Sequence, residues 1–96
     1  MSDARGTVGG SSSDHRVLFY GLTTCVWCKR TRKFLEESDV GFDYVYVDML
    51  QGDERAGAID EIRRVNPKTS FPTVVIDGET AVVGYDPDRL KEVLGL

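Results

Sequence analysis

Apolar residues change their spacing several times along this chain, and each change predicts a new element. Val17-Leu18-Phe19-Tyr20 is an unbroken run of strand formers closed by Gly21, the pattern of a buried strand. After Thr23-Thr24, the residues Trp27, Thr31, Phe34 and Leu35 recur at helical spacing. Lys29, Arg30, Arg32, Lys33, Glu36 and Glu37 fill the other face, so the spacing predicts an amphipathic helix that ends before Gly41. Phe42 to Val47 alternates like a second strand. Gly52 to Val65 predicts a helix with Ala58, Ile59, Ile62 and Val65 on one side, stopped by Asn66-Pro67.

Thr73-Val74-Val75-Ile76 and Thr80-Ala81-Val82-Val83 flank Asp77-Gly78, a pair suited to the tight turns that join antiparallel strands. Asp86 followed by Pro87 opens a last helix, with Leu90, Val93 and Leu94 inward, because an Asp cap before a first-turn proline is a strong start signal. The order is therefore βαβαββα. It predicts an α/β fold with one four-stranded mixed sheet flanked by helices on both faces, its βαβ crossover right-handed. Residues 1–15 hold Gly6, Gly9, Gly10 and the Ser11-Ser12-Ser13 run with almost nothing apolar, and are expected to be a flexible tail. The folded domain is expected over 16–96, and no internal repeat is visible.

Composition narrows the function classes. The 96 residues suffice for one domain. A net charge of −4 argues against nucleic acid as a partner, since phosphate binding requires a basic face. No run approaches the roughly 18 apolar residues of a membrane span, and the N-terminus lacks the layout of a secretory signal. A cytoplasmic, monomeric protein with no membrane partner is the expectation.

Only two cysteines are present, Cys25 and Cys28, and in a reducing compartment that spacing points to redox chemistry or metal binding. Cys25 falls where the helix starts, and the unpaired N–H groups and partial positive charge there favour a thiolate. Lys29, Arg30, Arg32 and Lys33 add four positive charges in the next two turns, where helices ordinarily prefer acids. Cys28 lies three residues on, on the same face, which brings the pair within the distance a disulfide requires. Cys25 is thus expected to be exposed and to attack substrate disulfides, and Cys28 to be shielded and to resolve the mixed disulfide. A structural zinc site usually takes four Cys or His ligands, whereas this chain has two cysteines and one histidine, His15, in the expected tail, so no metal site is expected.

Three motifs in order, the strand–Cys25-Val26-Trp27-Cys28–helix opening, Ser70-Phe71-Pro72-Thr73 and Gly84-Tyr85-Asp86, resemble those of glutaredoxins and related redoxins over 16–96. The resemblance implies a thioredoxin-like fold in which Pro72 is cis beside the disulfide, and Phe71 offers its backbone to substrate. Read without the family, Pro72 is a strand-start proline. In glutaredoxins a Gly-Gly-x-Asp stretch holds the γ-glutamyl end of glutathione; here Val83 replaces the first glycine, while Gly84 and Asp86 remain. Gly84-Tyr85-Asp86-Pro87-Asp88 equally resembles the pattern of redoxins that serve ribonucleotide reductase and draw electrons from a thioredoxin reductase. Asp86 has a plain role as helix cap besides. Val26-Trp27 replaces the proline–aromatic pair usual between the cysteines, and Trp27 either meets the partner or rests on the core.

The resemblance implies a dithiol electron carrier that reduces protein or low-molecular-weight disulfides, with Val26, Trp27, Phe71, Pro72, Gly84, Tyr85 and Asp86 around the substrate. No tightly bound cofactor beyond the Cys25–Cys28 disulfide is expected, and the reductant expected is glutathione, a thioredoxin-type reductase or a ferredoxin-linked reductase. Two alternatives stand beside it: a carrier of a [2Fe–2S] cluster shared between two copies, and a non-catalytic redox sensor or adaptor.

Overall fold

A strand buried along its length needs cover on both faces, and the strands at Val17–Gly21 and Thr73–Ile76, almost wholly buried, lie inside the sheet. The computed structural model describes residues 4–11 and 14–96. In chain order these residues form β1 (Arg5–Val8), β2 (Val17–Gly21), α1 (Val26–Glu37), β3 (Phe42–Tyr46), α2 (Gly52–Val65), β4 (Thr73–Ile76), β5 (Thr80–Val83) and α3 (Pro87–Leu94). A 3-10 turn at Val47–Met49 joins β3 to α2. The sheet order is β1-β3-β2-β4-β5, with β2 and β3 parallel and every other neighbouring pair antiparallel.

The two-residue period of the strands divides the core in two. Val17, Phe19, Val74 and Ile76 point to one face, where Leu35 of α1 and Leu90 and Leu94 of α3 cover them. Tyr20, Val45 and Val75 point to the other, where Ala58 and Ile62 of α2 cover them. Phe19, Leu35, Ile62 and Leu90 lose all solvent exposure, each burial contributing roughly 1.5–3 kcal/mol. The hairpin turn places both Asp77 (φ 56°) and Gly78 (φ 76°) in the left-handed region that a tight hairpin requires.

One expectation is corrected. The sheet has five strands, because Arg5–Val8, expected within a flexible tail, pairs antiparallel with β3, Arg5 opposite Val45 and Val8 opposite Phe42. Backbone pairing supplies what burial does not. The Thr7 hydroxyl adds a 2.7 Å bond to Asp43 Oδ1, and the Tyr44 ring lies against Gly6, where a side chain would collide with it. The remainder of the expected tail at 1–3 and 12–13, including most of the serine run, lies outside the described residues.

The buried face of α1 is Cys28, Thr31 and Leu35, and of the two places open to Trp27 the outward one is taken. Trp27 sits in the first turn, beyond the edge of the core, and is 54% exposed. Its carbonyl instead accepts the Thr31 hydroxyl at 2.9 Å.

Candidate functional site

Strand register gathers the sequence motifs at one end of the sheet. Thr73 at the start of β4 lies opposite both Tyr20 near the end of β2 and Val83 at the end of β5. Parallel pairing sets Gly21 beside Tyr46, the last residue of β3. The segments 22–28, 70–72, 84–86 and the turn at 47–49 therefore all emerge at that end.

Cys25 is the N-cap of α1, in extended conformation (φ −90°, ψ 118°), and its Sγ accepts the backbone N–H of Cys28 at 3.1 Å. A sulfur thus takes the place of the oxygen that usually satisfies this orphan donor. Cys25 is half-buried and Cys28 buried, both as free thiols. Burial first, and then the hydrogen bond with Cys25, push the Cys28 thiol from an ordinary value near 9 up to about 12, against the pull of the Leu22 backbone N–H. Gly21 lets the strand end approach this closely: a Cβ there would lie 2.7 Å from the Phe19 ring and 3.4 Å from the Cys28 Cβ.

The turn between β2 and α1 is held from outside. Leu22 C=O accepts the Cys25 N–H at 3.2 Å. Asp48, in the 3-10 turn, accepts the Thr23 N–H at 3.1 and 3.2 Å and the Thr23 hydroxyl at 2.5 Å. Burial raises the Asp48 carboxyl, but the Thr23 bonds and the Arg55 charge outweigh it and hold the group below the usual carboxylate range. Nothing in the sequence singles out Asp48. It lies 25 residues from Thr23 and is one of many acids in the chain.

Around the pair, Val26 (58% exposed) and Trp27 form an apolar rim. Trp27 stacks on Tyr85 with ring centroids 6.0 Å apart and planes 23° apart, and the Arg30 guanidinium sits 4.9 Å from the Trp27 ring. Of the four bases expected to act on Cys25, Arg32 is engaged elsewhere. It donates to the Tyr46 hydroxyl at 2.8 Å, pairs with Glu36 at 3.7 Å and lies 4.5 Å from the Tyr44 ring, so its charge serves the contact between helix and sheet. Lys29, Arg30 and Lys33 are exposed.

Phe71–Pro72 is a cis peptide. Pro72 C=O accepts the Gly84 N–H at 2.8 Å, and Gly84 takes a φ of 79°, which favours glycine. Phe71 is half-buried against both halves of the core. The loop before it is held by Asn66, whose Nδ2 donates to Thr73 Oγ1 at 3.0 Å and Ser70 Oγ at 3.2 Å. Asp86 caps α3, its Oδ1 accepting the Arg89 N–H at 3.1 Å. The structure thus joins Cys25 to Cys28, Trp27 to Tyr85 and Pro72 to Gly84, while this oxygen of Asp86 turns to its own helix.

A dithiol at the start of the first long helix, at the same sheet end as a cis-proline, with helices on both faces, defines a thioredoxin-like protein. The family model described as Glutaredoxin matches residues 17–81. A glutaredoxin structure from Methanosarcina mazei Go1 is 48% identical with a TM-score of 0.92, over 98% of this chain and 90% of the other. Methanoredoxin from Methanosarcina acetivorans is 44% identical with a TM-score of 0.82, over 84% and 85%. The Gene 56 protein of Mycobacterium phage L5 is 32% identical over 78 residues, 81% of this chain and 71% of that protein. The chain belongs to the glutaredoxin family, whose membership together with the adjacent cysteines supports thiol–disulfide redox function. Among the described residues no helix is long and apolar enough to cross a membrane.

Proposed function

We propose that this protein is a dithiol electron carrier that reduces protein or low-molecular-weight disulfides, with Cys25 as nucleophile and Cys28 as resolving thiol. The observation that carries this reading is the asymmetry of the pair: a half-buried Cys25, its Sγ 3.1 Å from the Cys28 backbone nitrogen, with a fully buried Cys28 behind it. The Cys25 thiolate attacks one substrate sulfur, forming a mixed disulfide and expelling the first substrate thiolate, which takes a proton from water. Cys28 then loses its proton and attacks Cys25 Sγ. The Cys25–Cys28 bond forms, the bond to substrate breaks, and the second thiol leaves. Two electrons pass from the pair to the substrate, and an external reductant reopens the disulfide.

High acidity would serve Cys28 poorly, because a thiol that stays protonated leaves Cys25 to make the first attack. The exposed rim of Val26, Trp27 and Tyr85 gives a disulfide-bearing protein an apolar surface, and the backbone at Phe71 and Gly84 orders it from the other side. In this reading the protein works as a cytoplasmic monomer without a tightly bound cofactor, and its reductant is glutathione, a thioredoxin-type reductase or a ferredoxin-linked reductase. NADPH consumption with a small disulfide, coupled first to glutathione and glutathione reductase and then to thioredoxin reductase, tests this. Turnover in either system that vanishes in Cys25→Ser supports the reading, and activity retained by Cys25→Ser refutes it.

A further inference from the structure

We propose that Asp48 is a positioning residue for the second exchange step, holding the Leu22–Thr24 turn so that Cys28 can close on Cys25. This rests on the dithiol reading above.

Three hydrogen bonds from one residue, the N–H to both carboxylate oxygens and the hydroxyl to one, converge on Asp48 from Thr23. Such bonds to an ionised acceptor are the stronger kind. Thr23 lies between the two partners of a hydrogen bond. On one side is Leu22, whose C=O takes the Cys25 N–H at 3.2 Å. On the other, through Thr24, is Cys25 itself. Asp48 comes from the connection after β3, and β3 is fixed beside β2 by its parallel pairing. The carboxylate therefore ties the turn to the rigid sheet.

The two steps make different demands on that turn. Attack by Cys25 on an external disulfide needs an accessible sulfur and an incoming partner free to adjust. Ring closure needs the Cys28 sulfur, the Cys25 sulfur and the departing sulfur in line, with no freedom beyond what the backbone gives. It also forms a thiolate at Cys28, which the Asp48 charge opposes, so Asp48 favours closure through its hold on the turn and not through its charge. In that step the Cys28 proton passes to water, Cys28 Sγ bonds to Cys25 Sγ, and the substrate thiolate departs. Loss of the Asp48 anchor thus slows closure and spares attack.

An aromatic disulfide that releases a coloured thiolate reads both steps in one stopped-flow trace. The first equivalent reports attack by Cys25, and the second reports closure by Cys28. For Asp48→Ala the second phase is expected to slow about tenfold, equivalent to roughly 1.4 kcal/mol, with the first phase within about twofold of wild type. Asp48→Asn keeps an acceptor for Thr23 and is expected to recover most of the closure rate. Thr23→Val removes the hydroxyl bond alone and should fall between them. A ratio of the two phases unchanged across all three variants overturns the assignment, as does a proportional fall in both phases that tracks lost thermal stability. Should Asp48→Ala not fold, Asp48→Asn and Thr23→Val carry the same comparison. A wild-type trace without a second phase refutes the dithiol reading itself.

Discussion

Replacing Thr73 with valine should destabilise the protein measurably although the two side chains are nearly the same size. Thr73 is fully buried at the first position of β4, where a β-branched residue suits the strand. Its hydroxyl donates to the Ser70 carbonyl at 2.7 Å and accepts from Asn66 Nδ2 at 3.0 Å. Valine removes both bonds and strips a partner from Asn66, itself only 5% exposed. A lost hydrogen bond costs about 0.5–1.5 kcal/mol net, and a buried group left short of partners costs about 1–3. The Asn66 amide keeps Ser70 Oγ at 3.2 Å, so the sum falls near the low end, about 1–2 kcal/mol. For a domain of this size that lowers Tm by about 5–15 °C. Thermal unfolding followed by circular dichroism, with Thr80→Val on the edge strand as control, measures it. A drop for Thr73→Val no larger than the control's, or under about 2 °C, would show that the network does not hold the loop leading to Phe71–Pro72.

Arg32→Met should cost about 1–2 kcal/mol through loss of the Tyr46 hydrogen bond and the Tyr44 ring contact, yet leave the rate of Cys25 attack within about twofold, because Arg32 serves the sheet rather than the sulfurs; urea unfolding and thiol alkylation read the two effects. Stability of the reduced protein should fall as pH rises. The Cys28 thiol is raised from near 9 to about 12 by burial and then by Cys25, and Tyr20 from 10 to about 12 by burial and then by the Glu61 charge. The unfolded chain then releases protons that the folded protein still holds, so this stabilisation is complete below pH 9 and is lost between about 9 and 12. Cys28→Ala combined with Tyr20→Phe should flatten that limb in urea melts taken across the range. Amide exchange should show protection within Arg5–Val8 that a flexible tail would lack.

Elements set by neighbours in sequence could be read without the structure. Asp77-Gly78 fixes its hairpin by its own backbone preferences, and Asp86-Pro87 starts α3 with a cap that bonds three residues on. The same local logic put Cys25 at a helix start and Cys28 behind it. What the sequence withheld depends on partners far along the chain. The strand at Arg5–Val8 shows no hydrophobic signal because it is held by backbone pairing to β3 and by the Tyr44 ring over Gly6. Trp27 fits the helical stripe by spacing, but its turn overhangs the core. Arg32 looks like one more base on a charged face until the sheet brings Tyr44 and Tyr46 to it. Asp48 joins the site only because parallel pairing of β2 and β3 puts the ends of both strands together.

In the proposed reaction Cys25 attacks and Cys28 resolves. Incubating Cys28→Ser and Cys25→Ser separately with a small disulfide, then measuring intact mass and mapping the modified peptide, tests it most directly. One stable adduct is expected on Cys25 in Cys28→Ser and essentially none in Cys25→Ser, where the remaining thiol is buried. An adduct on Cys28 in Cys25→Ser forming as fast as that on Cys25, or none on Cys25 in Cys28→Ser, would contradict it.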